Sequence, residues 1–401
     1  MKNKLKIIFQ VFIEENKLIF NDTAAILLLV LAGLAYPIVY NCVYYNDIIQ
    51  DMPIAVIDES GSQASRTFLR KIDATPEIKI ERFCTDMLEA KDLMKRRKVH
   101  GIICIPRDYE KRLANLQQAT ISTYADMSAL LYYKNLAYGT NYVMLDEMKR
   151  IQTERYNMKG ISGEDAKQLV QAVPYIGSVF YNPAGGMAAF LLPIILILVL
   201  QQTMFFGVSL VAGTAREANK FNTLFSRQIC EGGVGSVVIG KSLAYFLIYV
   251  CTGTFILGFI PIMFHLPHIG TMHDIFILMI PYILSIAFMS LTLSTMIKRR
   301  ESGLILFAFF SVVLLFLTGF SWPESNMPKI WTYVSYIFPS TFASHAYVKI
   351  NTAGATISDV RLDYMILWIQ TGIYFISACI SFRLSELKMF KSYMSNEKRI
   401  N

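Results

Sequence analysis

The chain has 401 residues, of which 54% are hydrophobic and 17% charged, with a mean hydropathy of +0.41. This balance excludes a disordered chain, which has too little apolar surface to bury, and argues against an ordinary soluble enzyme. The formal charge of +8 does not mark a nucleic-acid binder: residues 46–185 carry 19 basic and 18 acidic side chains, so the excess flanks the apolar runs, and no basic stripe interleaves with aromatics.

From the N-terminus, Leu5, Ile8, Phe9 and Phe12 fall at i, i+3, i+4 and i+7, with Lys2, Lys4, Lys6, Glu14 and Lys17 in polar positions. This predicts an amphipathic interfacial helix within residues 1–23, serving either lipid anchoring or docking of a soluble partner. Apolar runs follow at about 24–45, 187–210, 243–264, 275–297, 303–320 and 364–382. Each suffices for a helix across the roughly 30 Å hydrocarbon layer, so six spans are expected. The first run lacks a small-residue cleavage site after it and is read as a retained anchor, not a signal peptide. Pro37, Pro193, Pro261 and Pro281 fall inside spans, which helices in lipid tolerate when neighbours re-satisfy the freed carbonyls.

Between the first two runs, IAVID (54–58), EIKIERF (77–83), VHGIICIP (99–106) and TISTYAD (120–126) read as strands separated by helical segments. The βαβαβαβ pattern predicts a small α/β domain with a largely parallel sheet inside residues 46–185, followed by long connecting helices from about 128. Cys84 and Cys104 lie in or beside two of these strands, and spacing alone leaves both a disulfide and two free thiols open. A further aromatic, Pro-punctuated stretch at about 321–350 reads as a segment re-entering the outer leaflet or as an aromatic belt.

Orientation follows from the Lys and Arg of the short segments. With both termini cytoplasmic, the inner segments carry Arg216, Lys220, Arg227, Lys241, Lys298, Arg299, Arg300 and the basic tail 383–401, whereas the short outer segments carry only Lys329, Lys349 and Arg361. Residues 46–185 are then extracytoplasmic.

Two strings imitate an ATPase: GSVVIGKS (235–242) matches a phosphate-binding loop and IAVIDE (54–59) a Walker B strand. The context refuses both, since residues 226–234 form no strand, Lys241 opens a span, and charge bias puts Lys241 and Asp58 on opposite sides of the membrane. Gly240 and Lys241 are expected to mark an interfacial helix start, with Lys241 snorkelling to the headgroups. His265, His268 and His273 with Asp274 fit an interfacial polar loop better than a metal site. Gln201 and Gln202, inside the second span, are expected to face protein, either bonding across a helix interface or lining a substrate path. No nucleophile, base and orienting group cluster, so no enzyme activity is expected on this chain.

Several segments, in this order and spacing, resemble the type-2 ABC transporter permease family. IAVIDES is similar to its V-V-D-x-D/E-x-S, HGIICIPRDYEKRL (100–113) to its G-x-x-x-I-P-x-x-F segment, GTAREANKFNTLF (213–225) to its R-E-x-x-x-G-T segment, and LTGFSWPESNMPKIWTYVSYIFP (317–339) to its late Pro-rich block. Phe221 and Asn222 depart from the pattern, standing where the family commonly has a Gly before the Thr, here Thr223. The resemblance implies the membrane subunit of an exporter in the bacterial cytoplasmic membrane, moving an amphipathic or lipid-like substrate outward. It implies a homodimer or sister permease, an adaptor where the cell has two membranes, and a separate ABC ATPase that holds ATP and Mg, with no cofactor on this chain. A coupling helix at about 214–226 is implied, with Arg216, Glu217, Lys220, Phe221 and Thr223 meeting the ATPase and Phe9, Phe12 and Glu14 completing the dock. The alternative is a membrane sensor whose extracytoplasmic domain binds a ligand, which the short tail after the last span disfavours.

Overall fold

The computed structural model describes residues 2–44, 48–128, 130–161, 163–171, 177–182, 185–217, 233–297, 299–322 and 324–400. They form two compact units, one of residues 48–178 and one of residues 1–47 with 179–401. The larger unit opens with helix α1 (Lys2–Asn21) and the apolar helix α2 (Thr23–Val43). Asp22 separates them: its backbone is extended, and its carboxylate caps α2 by accepting from the N–H groups of Ala24 (3.0 Å) and Ala25 (3.3 Å).

The smaller unit is built on a four-stranded sheet of β1 (Met52–Asp58), β2 (Ile78–Phe83), β3 (Gly101–Ile105) and β4 (Ser122–Ala125), in the order β2-β1-β3-β4. Helices α3 (Gln63–Asp73), α4 (Met87–Lys95) and α5 (Tyr109–Ala114) connect the strands, and α6 (Leu130–Met158) and α7 (Glu164–Val170) follow. Strand β1 is central and covered on both faces, as its unbroken apolar run requires. Met52, Ile54 and Val56 pack with Phe68, Leu69 and Ile72 of α3 and Leu136 and Val143 of α6, while Ala55 and Ile57 pack with Ala90 of α4 and Val99.

β1 pairs in parallel with β2 and β3, but β4 runs antiparallel to β3. The register runs from Gly101 opposite Ala125 to Cys104 opposite Ser122, so β4 starts beside the end of β3 and the chain over α5 and residues 115–121 makes no crossover. Asp58 of the Walker-like string is occupied in the turn after β1, accepting from the N–H groups of Ser60 and Gly61 (both 3.1 Å) and from the Ser65 hydroxyl (2.7 Å). Cys84 and Cys104 are free thiols. They flank β1 on opposite sides, two strand spacings or about 10 Å apart, beyond disulfide reach. Burial pushes both thiols up from their ordinary range.

On α6, the buried carboxylate of Glu147 is held by Lys71 (2.9 Å) and by Arg150, and Lys71 also reaches Asp146 (2.9 Å). Arg150, and then Lys71, hold the Glu147 carboxyl below its usual range against the opposing effect of burial. A depressed folded-state pKa gives stability that is present above the unfolded value of about 4.3 and lost as pH falls through the folded one. Amide exchange along residues 136–151 is therefore expected to accelerate on acidification more in the wild type than in Glu147→Gln, once both are corrected for intrinsic rates. Equal acid sensitivity would remove Glu147 from that account.

After α7 the chain returns to the larger unit as α8 (Met187–Glu217), α9 (Val234–Met263), α10 (Met272–Ser294), α11 (Arg300–Leu317), α12 (Lys329–Ser335), α13 (Pro339–Ala353) and α14 (Arg361–Ile400). Five helices among the described residues are long and apolar enough to cross a membrane: α2, α8, α9, α10 and residues Arg361–Leu387 of α14. The chain is a multi-pass membrane protein. The run expected as a further span forms α11, an 18-residue helix that opens with Arg300 and Glu301. Helix α8 lies at the centre, 89% of its apolar window buried against 28% for α2. At Gly207 of α8 a Cβ would overlap Leu29, so the glycine permits close packing of α2. Pro261 cannot donate to the Leu257 carbonyl four residues earlier, and the buried Tyr347 hydroxyl of α13 donates to that oxygen at 2.7 Å.

The histidine connector is occupied by packing. His268 Nδ1 lies 2.5 Å from Asn351 Oδ1, and Asp274 takes part in the Thr271 cap of α10 while accepting from the Ile357 N–H. Among the described residues no three His, Cys, Asp or Glu side chains are grouped to hold a metal.

Candidate coupling site

Helix α1 has three faces. Val11, Glu15 and Ile19 are buried, Leu5, Phe9, Ile13 and Phe20 are exposed apolar residues, and Gln10 and Lys17 lie exposed on a polar side. The sequence pattern predicts an apolar stripe of Leu5, Ile8, Phe9 and Phe12 for the lipid interface or a docked partner. Leu5 and Phe9 are exposed, Phe9 by 62%, and Phe12, stacked on Phe9 with ring centroids 6.2 Å apart, is half-buried against the core. Glu14 accepts from Gln10 (3.0 Å). The periodicity found the open apolar stripe and missed the second side, Val11, Glu15 and Ile19, that meets protein.

The protein-facing side docks on α9. At Gly240 a Cβ would come within 2.8 Å of the Ile8 carbonyl oxygen and of Val11, so only glycine lets the two backbones approach this closely. One residue on, Lys241 makes an ion pair with Glu15, and one turn further the buried Tyr245 hydroxyl donates to the other oxygen of Glu15 (2.8 Å). Glu15 is only 3% exposed, so the carboxylate has left water for these two partners. Lys241 does not snorkel to headgroups as expected, because a buried carboxylate lies within its reach. The Gly-Lys pair of the apparent phosphate loop is thus a helix-docking element.

Two further contacts join helix ends nearby. Thr214 of α8 donates to the Asp22 carboxylate at 2.9 Å, tying the α1–α2 junction to the end of α8. Arg216 donates to the Thr295 carbonyl at 3.0 Å, at the C-terminal end of α10, where the helix dipole favours a cation. Glu217 is exposed at the last position of α8, and Lys220, Phe221 and Thr223 lie outside the described residues. Helices α1, α2, α8, α9 and α10 are therefore linked through Asp22, Thr214, Arg216, Glu15 and Lys241.

Farther along α8, Gln201 is fully buried and accepts from the Ser340 N–H (3.0 Å), in the first turn of α13. From α14, Gln370 donates to the Tyr336 carbonyl (2.9 Å) and Tyr374 to that of Ile337, so three side chains hold residues 336–340 at the start of α13. Gln201 Nε2, both amide atoms of Gln202, and the hydroxyls of Ser340 and Ser344 are buried with no hydrogen-bond partner among the described residues. The interior thus retains unused hydrogen-bonding capacity along α8 and α13. Glu15, Asp22, Thr214 and Tyr245 were not singled out from the sequence. The spacing of Val11, Glu15 and Ile19 at i, i+4, i+8 was the available signal for Glu15, since it puts a carboxylate on an otherwise apolar line.

Residues 23–380 match the family model described as ABC-2 family transporter protein. Comparison with curated proteins gives no match.

Proposed function

The chain belongs to the ABC-2 family of transporter proteins, and we propose that it acts as the permease of an ATP-driven exporter for an amphipathic or lipid-like substrate. A permease of this family is a transport subunit that associates with an ABC ATPase. In the proposed arrangement both termini are cytoplasmic, α11 completes a sixth span, the 321–350 segment re-enters the outer leaflet, and residues 46–185 form an extracytoplasmic domain that can meet an adaptor. The protein sits in a bacterial cytoplasmic membrane as a homodimer or with a sister permease, and the exposed apolar side of α1 lies in the lipid interface.

The observation that carries this reading is the linkage of five helices by Glu15–Lys241, Asp22–Thr214 and Arg216–Thr295. ATP and Mg act on the partner. Its closure pushes on Glu217 and the adjoining Lys220, Phe221 and Thr223, with Phe9, Phe12 and Glu14 of α1 completing the dock. Because the linked helices move together, the push biases the bundle between two arrangements. Gln201 and Gln202 line the substrate path, where their unused hydrogen-bonding atoms support transient contacts.

Purification of the C-terminally tagged chain from its native membrane is expected to recover an ATPase subunit in equal copy number, identified by mass spectrometry. In that complex Glu217→Ala should lower transport without preventing insertion. Absence of an ATPase across several mild detergents would overturn the exporter reading, and normal transport by the variant would remove Glu217 from the coupling surface.

A further inference from the structure

The smaller unit contains a cavity of about 350 Å3, lined by residues of α3, α5, α6 and the segment leading into β4. This volume falls within the range of roughly 300–1,000 Å3 typical of small-molecule sites. The apolar part of the lining includes Phe68, Ile121, Met144, Met148 and Ile151. Methionines adapt to varied apolar shapes, and Met144 and Met148 are 43% and 49% exposed, so this part of the lining is open to an incoming chain.

The lining also carries two charges, Glu147 and Arg155. They are not equivalent. Glu147 is already compensated by Lys71 and Arg150. Arg155 is half-buried, and its guanidinium donates only to the Leu113 carbonyl, at 3.4 Å, with no carboxylate in ion-pair range among the described residues. The side-chain amides of Gln117 and Gln152 and the hydroxyl of Tyr109, also in the lining, make no hydrogen bond among the described residues. A planar guanidinium lacking an anion, one turn from Ile151 on the same face of α6 and in a lining that also holds these amides, is complementary to a carboxylate or phosphate attached to an apolar body.

We infer that this cavity binds an amphipathic organic anion, its acidic group forked onto Arg155 beside Gln117 and Gln152 and its apolar part lying on Ile121, Met148 and Ile151. The ligand reaches the site either from the bilayer, as an acidic lipid, or from solution. The site goes beyond the exporter reading, and its occupancy can be measured with neither ATPase nor nucleotide present. A failed binding test leaves the exporter reading standing, and a failed transport test leaves the site standing.

The test uses the full chain in phosphatidylcholine nanodiscs with a diazirine-bearing palmitic acid as photolabel. Label is expected on peptides covering residues 144–155 and should fall by about tenfold or more in Arg155→Gln, the loss anticipated for one charge-assisted contact. Arg155→Lys should retain part of the labelling, Ile151→Trp should abolish it by filling the cavity, and the exposed control Arg107→Gln should leave it unchanged. A diazirine-bearing alkylamine of equal length should not label these peptides. Competition by anilinonaphthalene sulfonate would assign the soluble source, and co-purifying acidic lipid seen by native mass spectrometry the bilayer source. Labelling confined to other segments, equal labelling by the amine, or full labelling of Arg155→Gln with wild-type amide exchange in β1 would overturn the assignment.

Discussion

Replacing Lys241 by methionine is expected to destabilise the larger unit by about 3–5 kcal/mol, the cost of leaving one member of a buried ion pair alone. Glu15 sits between Val11 and Ile19 on the packed side of α1 and is 3% exposed. Without the ammonium group only the Tyr245 hydroxyl remains to solvate its carboxylate. The loss should appear as a lowered unfolding temperature in mild detergent, with α1 detaching first. Substituting the whole constellation, Glu15→Leu with Lys241→Met and Tyr245→Phe, removes the stranded charge and the stranded hydroxyl together. It should recover most of the stability, because well-packed apolar side chains replace buried ion pairs at little cost. Unchanged unfolding of the single variant would show that the pair contributes nothing. A triple variant as unstable as the single one would place the cause in packing instead of charge.

The contrast between Lys241 and β1 shows what a sequence discloses. The four-residue apolar run at 54–57 meets the sheet through its own composition, and its burial on both faces needed no knowledge of distant residues. The parallel pairing of β1 with β2 and β3 follows from the alternation of strands and helices in the same way. The reversal of β4 carries no local signal, because a strand's composition reads the same in either direction. Lys241 lay inside a familiar motif, and its partner stands 226 residues earlier in the chain. No local pattern pairs residues across that distance, so the motif drew attention to phosphate chemistry while the lysine serves helix docking. Arg216 was singled out through resemblance, and its acceptor, a backbone carbonyl at Thr295, carries no side-chain signal. Gln201 was expected to face protein and does; its contact with the first turn of α13 depends on how two distant helices meet.

Arg216→Ala is expected to remove a charge-assisted hydrogen bond contributing about 1.5–3 kcal/mol. This bond joins the end of α8 to the end of α10. If it forms in only one of the two arrangements of the transporter, its loss shifts their balance by a factor of about ten or more, since 1.4 kcal/mol corresponds to tenfold. On the exporter reading, transport per ATP hydrolysed should fall by that order while the chain still inserts and still recovers its ATPase. Arg216→Lys, which keeps the charge but presents a single ammonium, should restore part of the coupling. The ratio of transport to hydrolysis separates a coupling role from a structural one, because a merely weakened fold lowers both rates together through the amount of intact protein. A fall in unfolding temperature with an unchanged ratio would therefore make Arg216 a strut between helix ends and leave coupling to other residues. A fallen ratio at unchanged stability would assign it to the transmission of force from the ATPase side into α8 and α10.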